Sequence, residues 1–400
     1  MGCCEVKNRP PNYYLAPQSQ YPPQNYQGAY NQNNMQKLKQ SVKDVDNYKN
    51  NKYKPINNND IEPLNDEYPN SDNQKVNPPM SLGSSFDVDN KGSYNEINTR
   101  NSNISPYGGM NSTNYNCVKT IEEAHDEKIV CLIELSSGKI ATGSYDCSIK
   151  IWNLNTFECE NTIREREYVL CLLEFEKNML LSGTSNNTIQ LWDLKNTFGE
   201  CLHTYEGHLL WINCLVKCNH KYFASCSNDS DIRIWDYFAN KCINVLKGHS
   251  ECVLGLIKLS DGRLCSCSSD LTIKIWNWEL NTCDKTLTGH TKWVKCVYQL
   301  NNGYILSGSD DNTIKVWKKD NNIKTLIGHE HSIRSFCQIN DNLFASASFD
   351  KTIKIWDINN MKCIQTLVGH KSNVIAVIKH TSGNLISCSN DETIKIWKNV

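Results

Sequence analysis

The 400-residue chain predicts an all-β fold, a seven-bladed β-propeller preceded by a disordered, Asn/Gln/Pro/Tyr-rich N-terminal tail. Three observations lead there. Seven tryptophans, Trp152, Trp192, Trp235, Trp276, Trp317, Trp356 and Trp397, recur at intervals of 40, 43, 41, 41, 39 and 41 residues. A phrase of the form Ser-x-Ser-x-Asp-x-Thr-Ile-Lys-Ile-Trp surrounds nearly every one, almost whole at Ser307–Trp317 and Ser387–Trp397. Composition then divides the chain: all 11 prolines precede residue 117, and all 10 tryptophans and all 10 histidines follow it. A fixed period near 41 residues means one supersecondary unit made seven times, each burying its apolar face only against its neighbours.

The chain opens Met1-Gly2-Cys3-Cys4. Removal of Met1 exposes Gly2 to myristoylation, with Cys3 and Cys4 available for palmitoylation; Val6 stands where Ser or Thr is usual. Residues 1–4 therefore read as an acylation signal. Residues 5–116 carry tracts such as Asn31-Gln-Asn-Asn34, with too few aliphatic side chains to offset chain entropy, and read as a disordered low-complexity tail. Their 11 basic and 11 acidic residues make no basic arm for nucleic acid. Within them Pro10-Pro11-Asn12-Tyr13 fits the Pro-Pro-x-Tyr ligand of WW domains, with Pro10, Pro11 and Tyr13 as its recognised positions.

The propeller is expected over 117–400. Its unit is clearest from Gly289-His290 to Leu326, where four short apolar runs are separated by turns such as Asn301-Asn302-Gly303 and Asp310-Asp311-Asn312. Four such strands, a to d, form an antiparallel meander, and seven meanders set radially form the propeller. The chain ends after a strand c, and Cys117–Ile121 matches the strand d at Cys363–Leu367, so strand 117–121 is expected to join the last blade and close the ring.

Strand order also places side chains. The loop between strands d and a lies on the same face as the turn between b and c, so a loop His meets a turn Asp. A strand-b hydroxyl and the strand-c Trp complete a buried hydrogen-bond chain. Six such sets are expected: His125/Thr142/Asp146/Trp152, His208/Ser225/Asp229/Trp235, His249/Ser266/Asp270/Trp276, His290/Ser307/Asp311/Trp317, His329/Ser346/Asp350/Trp356 and His370/Ser387/Asp391/Trp397. Six copies around a ring argue for a structural lock, not a catalytic triad, which needs an exposed nucleophile beside a pocket.

With these residues in view, 117–400 resembles the WD-repeat family. Its namesake pairs are Gly-His at 207/208, 248/249, 289/290, 328/329 and 369/370, and Trp-Asp at 192/193, 235/236 and 356/357. The second unit departs, with Arg164-Glu165 for Gly-His and Asn186 for the turn Asp; that blade is expected to be looser or adapted to a partner. The resemblance implies partner binding on the loop-bearing top face, through the residue before each turn Asp and the third residue after each loop His. Aromatic residues and Arg dominate hot spots. Tyr145, Tyr168, Trp211, Trp293 and Phe349 are therefore the candidates, with Lys295 and Arg334 in a column that binds phosphate in related substrate-recognising propellers.

The net charge of −1 selects no class of partner, and no apolar run approaches the roughly 20 residues of a membrane span. Without a secretory signal the 20 cysteines are expected as thiols. Cys214-x3-Cys218-x-His220 and Cys265-x-Cys267 have metal-like spacing, but they fall into repeat columns: Cys214 aligns with Cys131, Cys171 and Cys296, and Cys267 with Cys226, Cys388 and Gly308. No metal, cofactor, small-molecule substrate or nucleic acid is expected. The function expected is a non-catalytic protein-interaction scaffold, cytoplasmic and tethered to a membrane face by N-terminal acylation. The alternative is a substrate-recognition subunit of a ubiquitin ligase, or a soluble propeller subunit of a larger assembly.

Overall fold

The structure, a computed structural model, describes residues 114–195, 199–319 and 321–400. The acylation signal, the tail up to residue 113 and the Pro-Pro-x-Tyr segment lie outside the described residues. The alternating Ile, Val and Thr of the repeats form strands throughout. After β1 (Tyr115–Ile121), blade 1 consists of β2 (Ile129–Glu134), β3 (Ile140–Ser144), β4 (Ser148–Asn153) and β5 (Glu158–Arg164). The same four-strand order returns in β6–β9 (169–205), β10–β13 (212–246), β14–β17 (253–287), β18–β21 (294–327) and β22–β25 (333–368). Blade 7 is β26 (Val374–Lys379), β27 (Leu385–Ser389), β28 (Ile394–Asn399) and, on its outer edge, β1. The protein is an all-β, seven-bladed propeller.

Strand β1 pairs antiparallel with β28 from Tyr115↔Asn399 to Ile121↔Ile394. It starts two residues before the expected Cys117, because Tyr115 is itself buried in the contact between blades 6 and 7. Gln365 of blade 6 holds that start: its Oε1 accepts the Tyr115 N–H at 2.9 Å and its Nε2 donates to the Tyr115 carbonyl at 2.8 Å.

Each apolar cluster lies between two adjacent blades and contains one of the seven repeat tryptophans. This is why the unit cannot stand alone. Strand b is sandwiched on both sides, every residue of Ile305–Ser309 being buried, so its sequence runs to Ser, Gly, Ala and Cys. Opposite it, in most blades, strand a supplies a residue of complementary size. Cys131 pairs with Gly143, Cys171 with Gly183 and Cys296 with Gly308, while in blade 4 the order is reversed as Gly255 and Cys267. A methyl on Gly308 would come within 2.8 Å of Cys296 Sγ and 2.6 Å of Ile333 Cγ2.

The turn from b to c places one residue of each blade at positive φ: Cys147, Asn187, Ser230, Leu271, Asn312, Lys351 and Glu392, at 60–73°. Asn adopts this conformation readily, whereas a leucine adopts it at a steric cost. Leu271 is also 38 % exposed, so its side chain gains little from burial. Leu271→Asn is expected to stabilise the propeller by about 0.5–1 kcal/mol in a denaturant melt.

Candidate interaction face

In six blades the loop His, turn Asp, strand-b hydroxyl and strand-c Trp come together as one chain of hydrogen bonds. The His Nδ1–H donates to the Asp carboxylate across 2.6–2.9 Å. Its Nε2 meets the hydroxyl of Thr142, Ser225, Ser266, Ser307, Ser346 or Ser387 at 2.6–2.7 Å. The Trp Nε1–H donates to that same hydroxyl at 2.8–2.9 Å. The Asp also accepts the backbone N–H following its His at 2.7–3.2 Å, which ties the d–a loop to the b–c turn. Burial pushes these carboxyls up, but the hydrogen bonds outweigh it, those from the His foremost, and all six stay below the usual aspartate range.

The six hydroxyl residues are not accessible site residues in any sense. Thr142, Ser225, Ser266, Ser307, Ser346 and Ser387 are all 0 % exposed, because strand b is covered by a neighbouring blade on each side. Neither substrate nor partner reaches them. Their part is confined to joining His to Trp inside the blade, and they belong to the scaffold, not to the binding face.

Blade 2 makes the chain with other chemistry. Glu165 takes the place of the His: its Oε1 accepts from Ser182 Oγ at 2.5 Å, and Ser182 Oγ accepts from Trp192 Nε1 at 2.9 Å. Asn186, exposed, accepts from the hydroxyls of Thr188 at 2.7 Å and Thr184 at 3.2 Å. Beneath it the contact with blade 3 is unusually aromatic. Phe175 stacks on Tyr237 at 4.2 Å, and Tyr205 meets Phe223 and Trp235 edge-on at 5.2 and 5.6 Å.

Above the locks, the two top-face columns are joined in every blade by one backbone hydrogen bond. The N–H of Tyr145, Ser185, Asn228, Ser269, Asp310, Phe349 and Asn390 donates to the carbonyl of Lys128, Tyr168, Trp211, Cys252, Trp293, Ser332 and Asn373, at 2.9–3.1 Å. The face is therefore a rigid platform, and its side chains differ around the ring. Tyr145 and Tyr168 stack at 4.7 Å across the boundary of blades 1 and 2. Trp211 in blade 3 is half-buried, and Trp293 in blade 5 is 40 % exposed with Lys295 Nζ 4.7 Å over its ring.

Two expectations for this face need correction. Phe349 is not a surface aromatic: it is 8 % exposed, covered by Arg334 at 5.3 Å and His331 at 5.7 Å and packed in the cluster with Ile375. Nor is Lys295 an open anion site. Its side chain is 8 % exposed and its Nζ lies 3.4 Å from the Asp310 carboxylate, which Ser332 Oγ also binds.

Among the described residues no group of three or more His, Cys, Asp or Glu is placed to hold a metal. The buried cysteines are packing residues: burial pushes the thiols of Cys131, Cys265 and Cys296 up to about 12, far from the reactive thiolate, and only Cys214 among the strand-a column is drawn the other way, by its hydrogen bond with Cys226.

The repeat family described as WD domain, G-beta repeat matches residues 115–153, 199–236, 240–277, 281–318, 320–357 and 361–398, together more than half of the chain. The chain belongs to the WD-repeat family. The WD-repeat match passes over 154–198, the stretch that holds Glu165 and Asn186 in place of His and Asp. Among solved structures, the WD40 β-propeller domain of Doa1 is similar at TM-score 0.66 and 22 % identity, over 72 % of this chain and 97 % of that one. That likeness is one of fold. The comparison with curated proteins finds no match. The WD-repeat propeller is a non-catalytic scaffold for protein interactions.

Sequence reasoning assigned no partner to Glu165, and it missed the stacked contact of Tyr145 with Tyr168. The signal for Glu165 was present, since a carboxyl replaces the His in the one unit whose turn Asp has become Asn.

Proposed function

We propose that this WD-repeat propeller is the recognition subunit of a larger cytoplasmic assembly, gripping a protein partner with its top face. The observation that carries this reading is the uneven distribution of aromatics on an otherwise repetitive platform. Tyr145 and Tyr168 stack over blades 1 and 2, Trp211 lies half-buried over blade 3, and Trp293 stands exposed over blade 5. The likeness to a propeller that is one domain of Doa1 favours this reading over a free-standing anchored scaffold. Its ubiquitin-ligase form, suggested by Lys295 and Arg334, is weakened by the engagement of Lys295 with Asp310. Trp211→Ala together with Trp293→Ala is expected to weaken quantified partner capture by at least about thirtyfold, as two hot-spot truncations would. Leu280→Ala, on an exposed residue of a c–d turn, leaves capture unchanged. Equal capture by all three proteins would discard the top-face assignment.

A second reading adds a membrane tether, favoured by Met1-Gly2-Cys3-Cys4. One myristoyl chain binds membranes only marginally, at about 10⁴ M⁻¹, so the cysteines would supply the second anchor. Gly2→Ala is expected to move the protein to the soluble fraction, and Cys3→Ser with Cys4→Ser to leave a weak, salt-insensitive residue on membranes. Wild-type protein that takes up no labelled fatty acid would remove the tether and leave the cytoplasmic recognition subunit.

A further inference from the structure

Blade 2 replaces a His–Asp lock with a lone carboxyl, and the geometry around that carboxyl is unfinished. Glu165 is 9 % exposed. Its Oε1 accepts from Ser182, whereas its buried Oε2 has no hydrogen-bond partner. Asn186, where the other blades carry the Asp, has its Oδ1 occupied by Thr184 and Thr188. The backbone N–H of Glu165 donates to the Cys147 carbonyl at 2.8 Å, fastening the segment to the turn of blade 1. Three residues on, Tyr168 stacks on Tyr145 and its carbonyl accepts the Ser185 N–H at 3.1 Å. The carboxyl thus sits where the interior of blade 2 meets the top-face boundary between blades 1 and 2.

The charged groups around it do not compensate it. On its own loop Glu167 repels it, Arg166 supplies only a backbone N–H, and the Arg164 and Arg166 side chains are exposed. From blade 1, the turn presents Cys147, and Asp146, which is already bound to His125. From the strands of blade 2, Ser182 and Trp192 are neutral donors. Burial pushes the Glu165 carboxyl up to about 7, and the hydrogen bonds from Ser182, Trp192 and the Arg166 N–H offset this only in part.

We propose that Glu165 makes blade 2 a proton-operated joint. Protonated, it completes the Glu165–Ser182–Trp192 chain as a histidine does in the other blades. Ionised, it becomes a buried charge with no cation beside it and one oxygen, Oε2, without a hydrogen bond, and blade 2 loosens at the Tyr145–Tyr168 boundary. The folded chain holds this proton more tightly than the unfolded one. Its support for the fold is therefore complete below the ordinary glutamate value of about 4.3 and fades as pH rises through about 7. The six lock aspartates are shifted the other way and stay ionised across that range. The inference concerns blade 2 itself and stands whether or not the top face binds a partner.

Hydrogen exchange of the full-length protein from about pH 5.5 to about pH 8.5, expressed as protection factors, tests it. Peptides covering Val169–Glu176 and Met179–Thr184 of blade 2 are compared with Val294–Gln299 and Ile305–Ser309 of blade 5. Protection in blade 2 is expected to fall on the order of tenfold across the range while blade 5 holds steady. Glu165→Gln should abolish the pH dependence, and Glu165→His with Asn186→Asp, which rebuilds the ordinary lock, should keep blade 2 protected throughout. Wild-type protection that runs parallel in the two blades overturns the proposal, whatever the variants do. So does a pH dependence that survives in Glu165→Gln.

Discussion

A chain shortened to begin at Glu122 is expected to melt far below one that begins at Thr113, which should melt with the full-length protein. The difference between the two short forms is β1. Tyr115 and Ile121 are buried in different places, Tyr115 between blades 6 and 7 and Ile121 between blades 7 and 1. Losing both side chains from the core costs about 3–6 kcal/mol. It also bares the edge of β28, whose ladder from Ile394 to Asn399 then has no partner. Thermal unfolding followed by circular dichroism decides the matter. Coincident melts would mean that the ring is held shut by inter-blade packing alone.

The second large effect is expected at Asp311. Its carboxylate accepts from His290 Nδ1 at 2.7 Å, from the backbone of Thr291 and Thr313 at 3.1 and 3.0 Å, and from Thr313 Oγ1 at 2.6 Å. Asp311→Ala strands these donors and costs about 1–3 kcal/mol. Asn186→Ala, at the corresponding but exposed position of blade 2, should cost less. The pH dependence adds a sign. Asp311 is held below the ordinary aspartate value of about 3.9, so its contribution is complete above that value and lost as the pH falls through the folded one. Wild type and Asp311→Ala should therefore converge in stability toward acid pH. A gap in denaturant midpoint that widens in acid would mean that the charge of Asp311 is not what holds the loop.

The blades, their strand order and the membership of the six locks could be read from one chain because each is repeated, and seven copies average out local noise. The unrepeated features were harder. Phe349 stands in a column that is partly exposed in most blades, and its burial comes from Arg334 and His331 of its own blade together with the cluster around Ile375 of the next. Lys295 looks like a free cation until Asp310, fifteen residues on, is seen to meet it. Glu165 was visible as a departure, but its hydrogen bond to Ser182 depends on how far a side chain one bond longer than aspartate reaches into the blade. Repetition reveals the rule, and three-dimensional contact is needed for the exceptions.

The size-matched pairs between strands a and b carry a consequence for how this sequence can change. The positions are always twelve residues apart, and the seven blades fill them as Cys131/Gly143, Cys171/Gly183, Cys214/Cys226, Gly255/Cys267, Cys296/Gly308, Ser335/Ala347 and Ala376/Cys388. A large residue on one strand goes with a small one on the other in most blades, and blade 4 has simply exchanged them. Such an exchange takes two substitutions, and the first must leave either two sulfurs or two small groups face to face. Both kinds of midpoint exist in this chain, the first in blade 3 and the second in blade 6. The propeller thus displays, within one molecule, the starting point, both intermediates and the end point of a path along which a buried contact can be inverted without the fold ever being lost.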